Sequence, residues 1–299
     1  MPAGDDEDWA AQYRRDMMLA AQALAGTEEE RLELRWQAVR SASAPERALY
    51  HEGLARLISR EGQPLSPAAF VPALERLGLV RAFDRDVFTL VLNELENFPG
   101  ARLGVNISAQ SARLDGWWFS TLERLRANPD LARRLVVEIT ETAALTGEAH
   151  RFVSALRRLG CRIALDDFGV GHASVRNAMA LMPDIIKVDA FFLRRAGSSD
   201  QSEALLEHLV GIAAHCAPVV IVEGVETAAQ SRMAERLQAR YQSPANACWQ
   251  QGYHFGHAVH WREWRHEASE AQVVPLRELG ARAGTGFQAW NSLAGLGRS

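Results

Sequence analysis

Seven short apolar runs in this 299-residue chain each stop at a polar residue that could bind a cation or move a proton. They read LYHE to Glu52, LGVN to Asn106, LVVE to Glu138, IALDD to Asp166 and Asp167, IIK to Lys187, VVIVE to Glu223 and CWQQ to Gln251. Five of these side chains are carboxylates, and oxygen donors in that number suit hard divalent cations such as Mg²⁺ or Mn²⁺. Acids placed only for solubility have no reason to fall where buried strands end.

The elements between the runs supply the frame. Helix-like stretches separate most of them, and VVEIT, IALDD and VVIVE are continuously apolar, as strands buried on both faces are. A parallel barrel of alternating strands and helices gathers the C-terminal ends of its strands at one rim. The expected fold is therefore an α/β, TIM-like (β/α)8 barrel. Its first strand is expected to be antiparallel, because only SASAPER links LELRWQAV (32–39) to LYHEGLARL (49–57). Strict alternation would send Asp166 and Asp167 to opposite faces. Both reach the rim only if the strand is already ending there, as the following FGVG allows.

Trp9, Tyr13, Met17, Ala20 and Leu24 recur at helical spacing, so 8–25 is expected to be an amphipathic helix. Ser66-Pro67 signals a helix start running to about Leu79. Further helices are expected over 84–97, 118–127, 147–159, 172–181, 200–215, 227–238 and 261–268. The chain divides into an acidic end with its helix (1–27), the barrel (28–268) and a glycine-rich, poorly ordered tail (269–299).

Composition excludes several classes. A hydrophobic content of 47% is ample for a large core, and a net charge of −4 leaves no basic face for duplex nucleic acid. Cys161, Cys216 and Cys248 are few and far apart, and read as buried free thiols of a reducing compartment. The N-terminus is acidic where a signal peptide would be basic, and no apolar run reaches the ~20 residues of a membrane span. A cytoplasmic location is expected.

HEGLAR, VNIS, VEITET, LDDFGVGHAS, IIKVD, VEGVET and QGYHF occur in this order across residues 32–258. In these motifs the chain resembles the EAL-domain cyclic di-GMP phosphodiesterases. The resemblance implies hydrolysis of cyclic di-GMP to linear pGpG with two divalent cations, Mg²⁺ or Mn²⁺. Glu52, Asn106, Glu138 and Asp166 match the ligands of one cation. Asp166 and Asp167 match those of a second, with Asp166 bridging and Glu223 close by. Glu52, Asp167, Lys187 and Glu223 are the implied catalytic residues, with Lys187 beside the attacking water. Arg56, Gln37, Leu54, Gln251 and Glu226 are the implied substrate contacts, and Glu141 the anchor of the loop after Asp167. A homodimer packed near loop 168–174 and an unidentified regulatory partner are implied as well. The chemistry fits: two cations ~3.5–4 Å apart activate water and clamp the attacking and leaving oxygens of a phosphodiester.

The chain departs from the pattern at Gly53 (alanine is usual), Leu57 (tryptophan), Ala38 and Ala258 (proline), and at His172 and Ala173 in the loop. These departures keep open a second reading, a catalytically weak or inactive receptor or protein-interaction module. A third is an unrelated barrel hydrolase acting on another phosphoester. His51, His172, His254 and His257 lack the spacing of a zinc site. Gly169-Val170-Gly171 lacks the lysine of a phosphate-binding loop. Trp117 and Trp118 read as packing residues, and Asp189 as a neighbour of the site.

Overall fold

The structure, a computed structural model, describes residues 4–140, 147–170, 174–241 and 247–264. Helix α1 (Gly4–Glu28) leads into a hairpin of β1 (Leu32–Ser41) and β2 (Ala48–Ile58). The short β3 (Pro64–Leu65) pairs with the end of β2, and α2 (Pro67–Arg76) and α3 (Val80–Asn97) return the chain to β4 (Leu103–Ile107). Strand and helix then alternate through α4 (Gly116–Ala127), α5 (Pro129–Arg134), β5 (Leu135–Thr140), α6 (Gly147–Leu159), β6 (Arg162–Phe168), α7 (Ser174–Leu181) and β7 (Ile185–Val188). Helices α8 (Ala190–Ala196) and α9 (Asp200–Cys216), β8 (Val219–Val222), α10 (Ala228–Gln238) and β9 (Trp249–Gln250) complete the run.

The strands follow the order β1-β9-β8-β7-β6-β5-β4-β2, and the β1–β2 pair closes the barrel. Strand β1 runs antiparallel to both of its neighbours, while the other barrel pairs are parallel. This is the TIM-like barrel with an antiparallel first strand that the short link predicts. Alternation along β2 decides what faces where. Glu52 belongs to the inward set with Tyr50, Leu54 and Arg56. Gly53, Ala55 and Leu57 face outward, with Ala55 and Leu57 in the core between barrel and helices.

The fold differs from the sequence reading in four places. Strand β2 continues six residues past Glu52, so that acid lies inside a strand and the hairpin stands above it. Strand β6 does not end at Asp167 but runs to Phe168. In α1, Trp9 is 68% exposed and Tyr13 and Met17 are also exposed, while Ala20 and Ala23 are buried. The helix packs through its small residues, so close that a Cβ at Gly26 would lie 2.0 Å from Leu57 Cδ1. Large side chains cannot occupy such a contact. Cys161 is buried, but Cys216 and Cys248 are only half-buried; all three are free. The tail and the second half of the expected 261–268 helix lie outside the described residues, and in its first half only Trp264 is helical. No described helix is long and apolar enough to cross a membrane.

Candidate active site

Inside the barrel, one apolar layer closes the lower end. It includes Val39, Tyr50, Val136, Ala164, Ile185, Ile221 and Trp249. Two residues further along the same strands stand Gln37, Glu52, Glu138, Asp166, Lys187, Glu223 and Gln251. Period-two alternation returns each of these positions to the same inward face.

Lys187 is the centre of this polar layer. It is 1% exposed, and its Nζ lies 3.0 Å from Glu52 Oε2, 2.7 Å from Glu138 Oε2, 3.3 Å from Asp166 Oδ1 and 2.8 Å from Glu223 Oε1. Gln251 Nε2 donates to Glu52 Oε2 (2.6 Å), and Asn106 Nδ2 donates to Glu52 Oε1. Gln37 Nε2 donates to Gly256 O (3.1 Å), which ties the loop after Gln251 to β1.

A bulge brings Asp166 and Asp167 together. Leu165 pairs with Ile186 and Phe168 with Val188, so two residues of β6 face the single Lys187 of β7. Such a bulge leaves one extra residue and re-aims its side chain. Asp167 takes a left-handed backbone with φ +55°, a conformation aspartate tolerates better than most residues. Its N–H donates to Asp166 Oδ1 (3.0 Å). The extra residue, not an early strand end, sets the two acids side by side.

Burial dominates the electrostatics. It pushes the carboxyls of Glu138 and Glu223 well above the ordinary range, reinforced by neighbouring acids. Asp166 is raised first by burial, and Asp167 is raised to about 7 by burial, then by Asp166 and Asp189. Glu52 is the exception. Burial raises it, but Lys187, Gln251 and Asn106 together hold it below the usual value. Lys187 loses by desolvation and gains more from the surrounding acids, which hold its ammonium well above the ordinary range. One ammonium among five carboxylates leaves a strong deficit of positive charge.

The acids form two oxygen-donor groups of the kind that holds a hard cation. Glu52, Glu138 and Asp166 each offer an oxygen within 4.8 Å of the others, and Asp166, Asp167 and Glu223 form a second such group that shares Asp166. Asn106 Oδ1 and Glu138 Oε1 are buried acceptors without a hydrogen-bond donor. Buried acceptors rarely stay unpaired, and a hard cation satisfies both. Gly104 makes room for this arrangement, since a Cβ there would lie 2.1 Å from Glu138 Oε1 and 2.7 Å from Tyr50 Cε2.

Leu54 and Arg56 are half-buried on the inward face of β2, above the acids. Glu226 is exposed just before α10 and is not among the clustered acids. Glu141, His172 and Ala173 lie outside the described residues. Asp189 caps α8 by accepting from Phe191 N (2.7 Å) and also lies close enough to raise Asp167. Sequence reasoning missed Tyr50, Gly104 and Asp84. Asp84 of α3 is buried and accepts from Ser108 N (2.9 Å) and Ser111 Oγ (2.5 Å), bracing the turn after Asn106. Only Tyr50 had a signal, standing two residues before Glu52 in the same inward set. The sequence departures Gly53 and Leu57 point away from the acids. The space of a Cβ at Gly53 is bounded by Trp36 at 3.0 Å, the Gly104 carbonyl oxygen at 3.1 Å and Val91 at 3.2 Å.

Known proteins share this frame. The cyclic di-GMP phosphodiesterase PdeF of Escherichia coli is 30% identical over 184 residues, covering 60% of this chain and 25% of that protein. The probable cyclic di-GMP phosphodiesterase PdeD of the same organism is 26% identical over 226 residues, covering 72% of this chain and 40% of that protein. The chain thus spans less than half the length of these curated relatives. The EAL enzyme Bd1971, solved with cAMP and cyclic-di-GMP bound, shares the fold with a TM-score of 0.71 at 23% identity, over 82% of this chain and 66% of that one. The EAL domain profile matches residues 20–258, and with that span covered the chain belongs to the EAL domain family.

Proposed function

We propose that the chain hydrolyses cyclic di-GMP to linear pGpG at the acid layer. The observation that carries this reading is the pair of oxygen-donor groups joined at Asp166. Two divalent cations, Mg²⁺ or Mn²⁺, would be held by Glu52, Asn106, Glu138 and Asp166 on one side and by Asp166 and Asp167 on the other. They would supply Lewis-acid charge to the phosphodiester and make water more acidic. In the reaction the oxygen of water bonds to phosphorus, the bond from phosphorus to O3′ breaks, and a proton ends on O3′. Asp167 and Glu223 stay partly exposed, so they face the incoming phosphodiester and can take up the proton that leaves water. Lys187 holds Glu52, Glu138, Asp166 and Glu223 in one layer and places positive charge where negative charge develops. Arg56, Leu54, Gln37, Gln251 and Glu226 serve the substrate, and Glu141 steadies the loop after Asp167. The same reading carries a homodimer, a cytoplasmic location and an unidentified regulatory partner.

The outward placing of Gly53 and Leu57 favours an enzyme over a binding module, because the departures from the family pattern that the structure describes on β2 alter packing behind the strand. The deciding experiment incubates purified protein with cyclic di-GMP and Mg²⁺ or Mn²⁺ and separates the nucleotides. Formation of pGpG that stops on chelation is expected. Binding without product would make the chain a receptor, and neither would point to another phosphoester.

A further inference from the structure

Two arginines share the inward face of the hairpin above the acids. Cross-strand partners in an antiparallel pair lie on one face, and alternate residues return to it. Gln37 pairs with Glu52 and Arg35 with Leu54, so Arg35 stands ~7 Å along the strand beyond the Gln37–Glu52 pair. Arg35 is half-buried, and its Nε is shielded from solvent with no acceptor. Among the described residues no carboxylate pairs with it. Arg56 beside it donates to the adjacent carbonyl, Ala55 O (2.7 Å). Burial, and then the Arg35 guanidinium, hold Arg56 below its ordinary range. Buried donors are nearly always paired. Glu33, the cross-strand partner of Arg56, is the carboxylate on this face, but it lies 3.7 Å from His260 Nδ1 and among the described residues forms no ion pair with either arginine. Two guanidinium groups left so are a site for an anion, and their planar forks match phosphate.

We propose that Arg35 is a specificity-determining residue that grips the second phosphate of a cyclic dinucleotide while the acid layer holds the first. The inference rests on the function proposed above and goes beyond it by separating substrates. A cyclic dinucleotide carries two phosphodiesters in one ring, so it can fill both positions. A simple phosphodiester fills only the acid layer. Lysine would give the charge without the fork, so the geometry of arginine matters as well as its sign.

Steady-state kinetics of the full chain with Mn²⁺ on cyclic di-GMP and on bis(p-nitrophenyl) phosphate test this. Arg35→Gln is expected to raise KM for cyclic di-GMP by about tenfold or more, the scale of one charge-assisted hydrogen bond, with kcat changed less than about twofold. The ratio of kcat/KM between the two substrates should fall by a similar factor, and Arg35→Lys should recover part of it. An unmoved ratio in Arg35→Gln overturns the inference, as does a loss shared equally by both substrates, the mark of a folding defect. If wild-type protein binds cyclic di-GMP without cleaving it, the proposed hydrolysis fails. A similar rise in calorimetric Kd for Arg35→Gln would then still support Arg35. Wild-type protein that neither binds nor cleaves cyclic di-GMP overturns both.

Discussion

The lower and upper halves of the barrel interior are built from the same strands and differ by a step of two residues. Val136 gives way to Glu138, Ala164 to Asp166, Ile185 to Lys187, Ile221 to Glu223 and Trp249 to Gln251. The lower layer is apolar and gains by leaving water, at roughly 25 cal/mol per Å² of buried apolar area. The upper layer loses by the same burial, because each charge gives up its hydration. The apolar floor is therefore part of the chemistry. It excludes water beneath the acids, so Lys187 and the carboxylates interact strongly, and the negative charge left in excess would attract the cations proposed above.

Substituting on either side of that step should give opposite results. Asp166→Asn is expected to cut turnover by more than ~100-fold, a loss that even residues behind a metal ligand can cause. Its Tm without metal should hold or rise, because repulsion among the acids is relieved. Ile185→Ala, two residues before Lys187, should instead cost ~2–5 kcal/mol of stability and retain turnover at permissive temperature. Full activity in Asp166→Asn would remove Asp166 from the shared position.

Lys187→Met tests what compensates the upper layer. Removing one partner of a buried ion pair costs ~3–5 kcal/mol, and here four carboxylates lose their common cation. Thermal melts should show that loss without metal and a larger Mn²⁺-dependent recovery than in the wild type. Equal recovery in both proteins would mean that the cations do not neutralise this cluster.

Asp84 sharpens the comparison as a buried acid without a buried cation beside it. Burial raises it to about 7 from an ordinary value of 3.8, although Ser111 and the Ser108 N–H oppose the shift. The folded state therefore holds more protons than the unfolded state between these values, so stability falls as pH rises through that window. Asp84→Asn should remove the loss. Its stabilisation should be roughly 2–3 kcal/mol larger at pH 8 than at pH 5. Parallel pH profiles for the two proteins would sink this reading.

The smallest change falls between the layers. Gly104→Ala inserts one methyl against Glu138 Oε1 and Tyr50, and overpacking of this kind costs ~1–3 kcal/mol. Mn²⁺ titration by calorimetry should show weakened binding, since Glu138 must turn aside. Unchanged affinity would show that the carboxylate has room to move.

The polar set at the strand ends was legible because burial on both faces makes these strands apolar without a break, and a charge that interrupts them stands out. The antiparallel first strand was legible from the seven residues of SASAPER, too few for a crossover. Face assignments within the hairpin were not, because they depend on register. Glu52 looked like a strand end, yet β2 continues above it and carries Arg56. Helical spacing in α1 marked Trp9, Tyr13, Met17, Ala20 and Leu24, of which Ala20 and Leu24 pack on the core and the first three do not. Spacing gives a stripe and not its partner. The alanine face won because it allows the closer approach.

The sequence by itself determined the alternation of the main strands and helices, though not β3, α5 or α8, the acids that end or interrupt the strands, and the family to which the chain belongs. Local composition is enough for these, since each depends on residues near one another in the chain. Only the tertiary structure decided that Asp167 turns to Asp166 through a bulge at φ +55°, and that Gly104 leaves space for Glu138. Those outcomes depend on how neighbouring strands register inside a closed barrel. Contacts between residues dozens of positions apart fix that register, and no short stretch of sequence carries it.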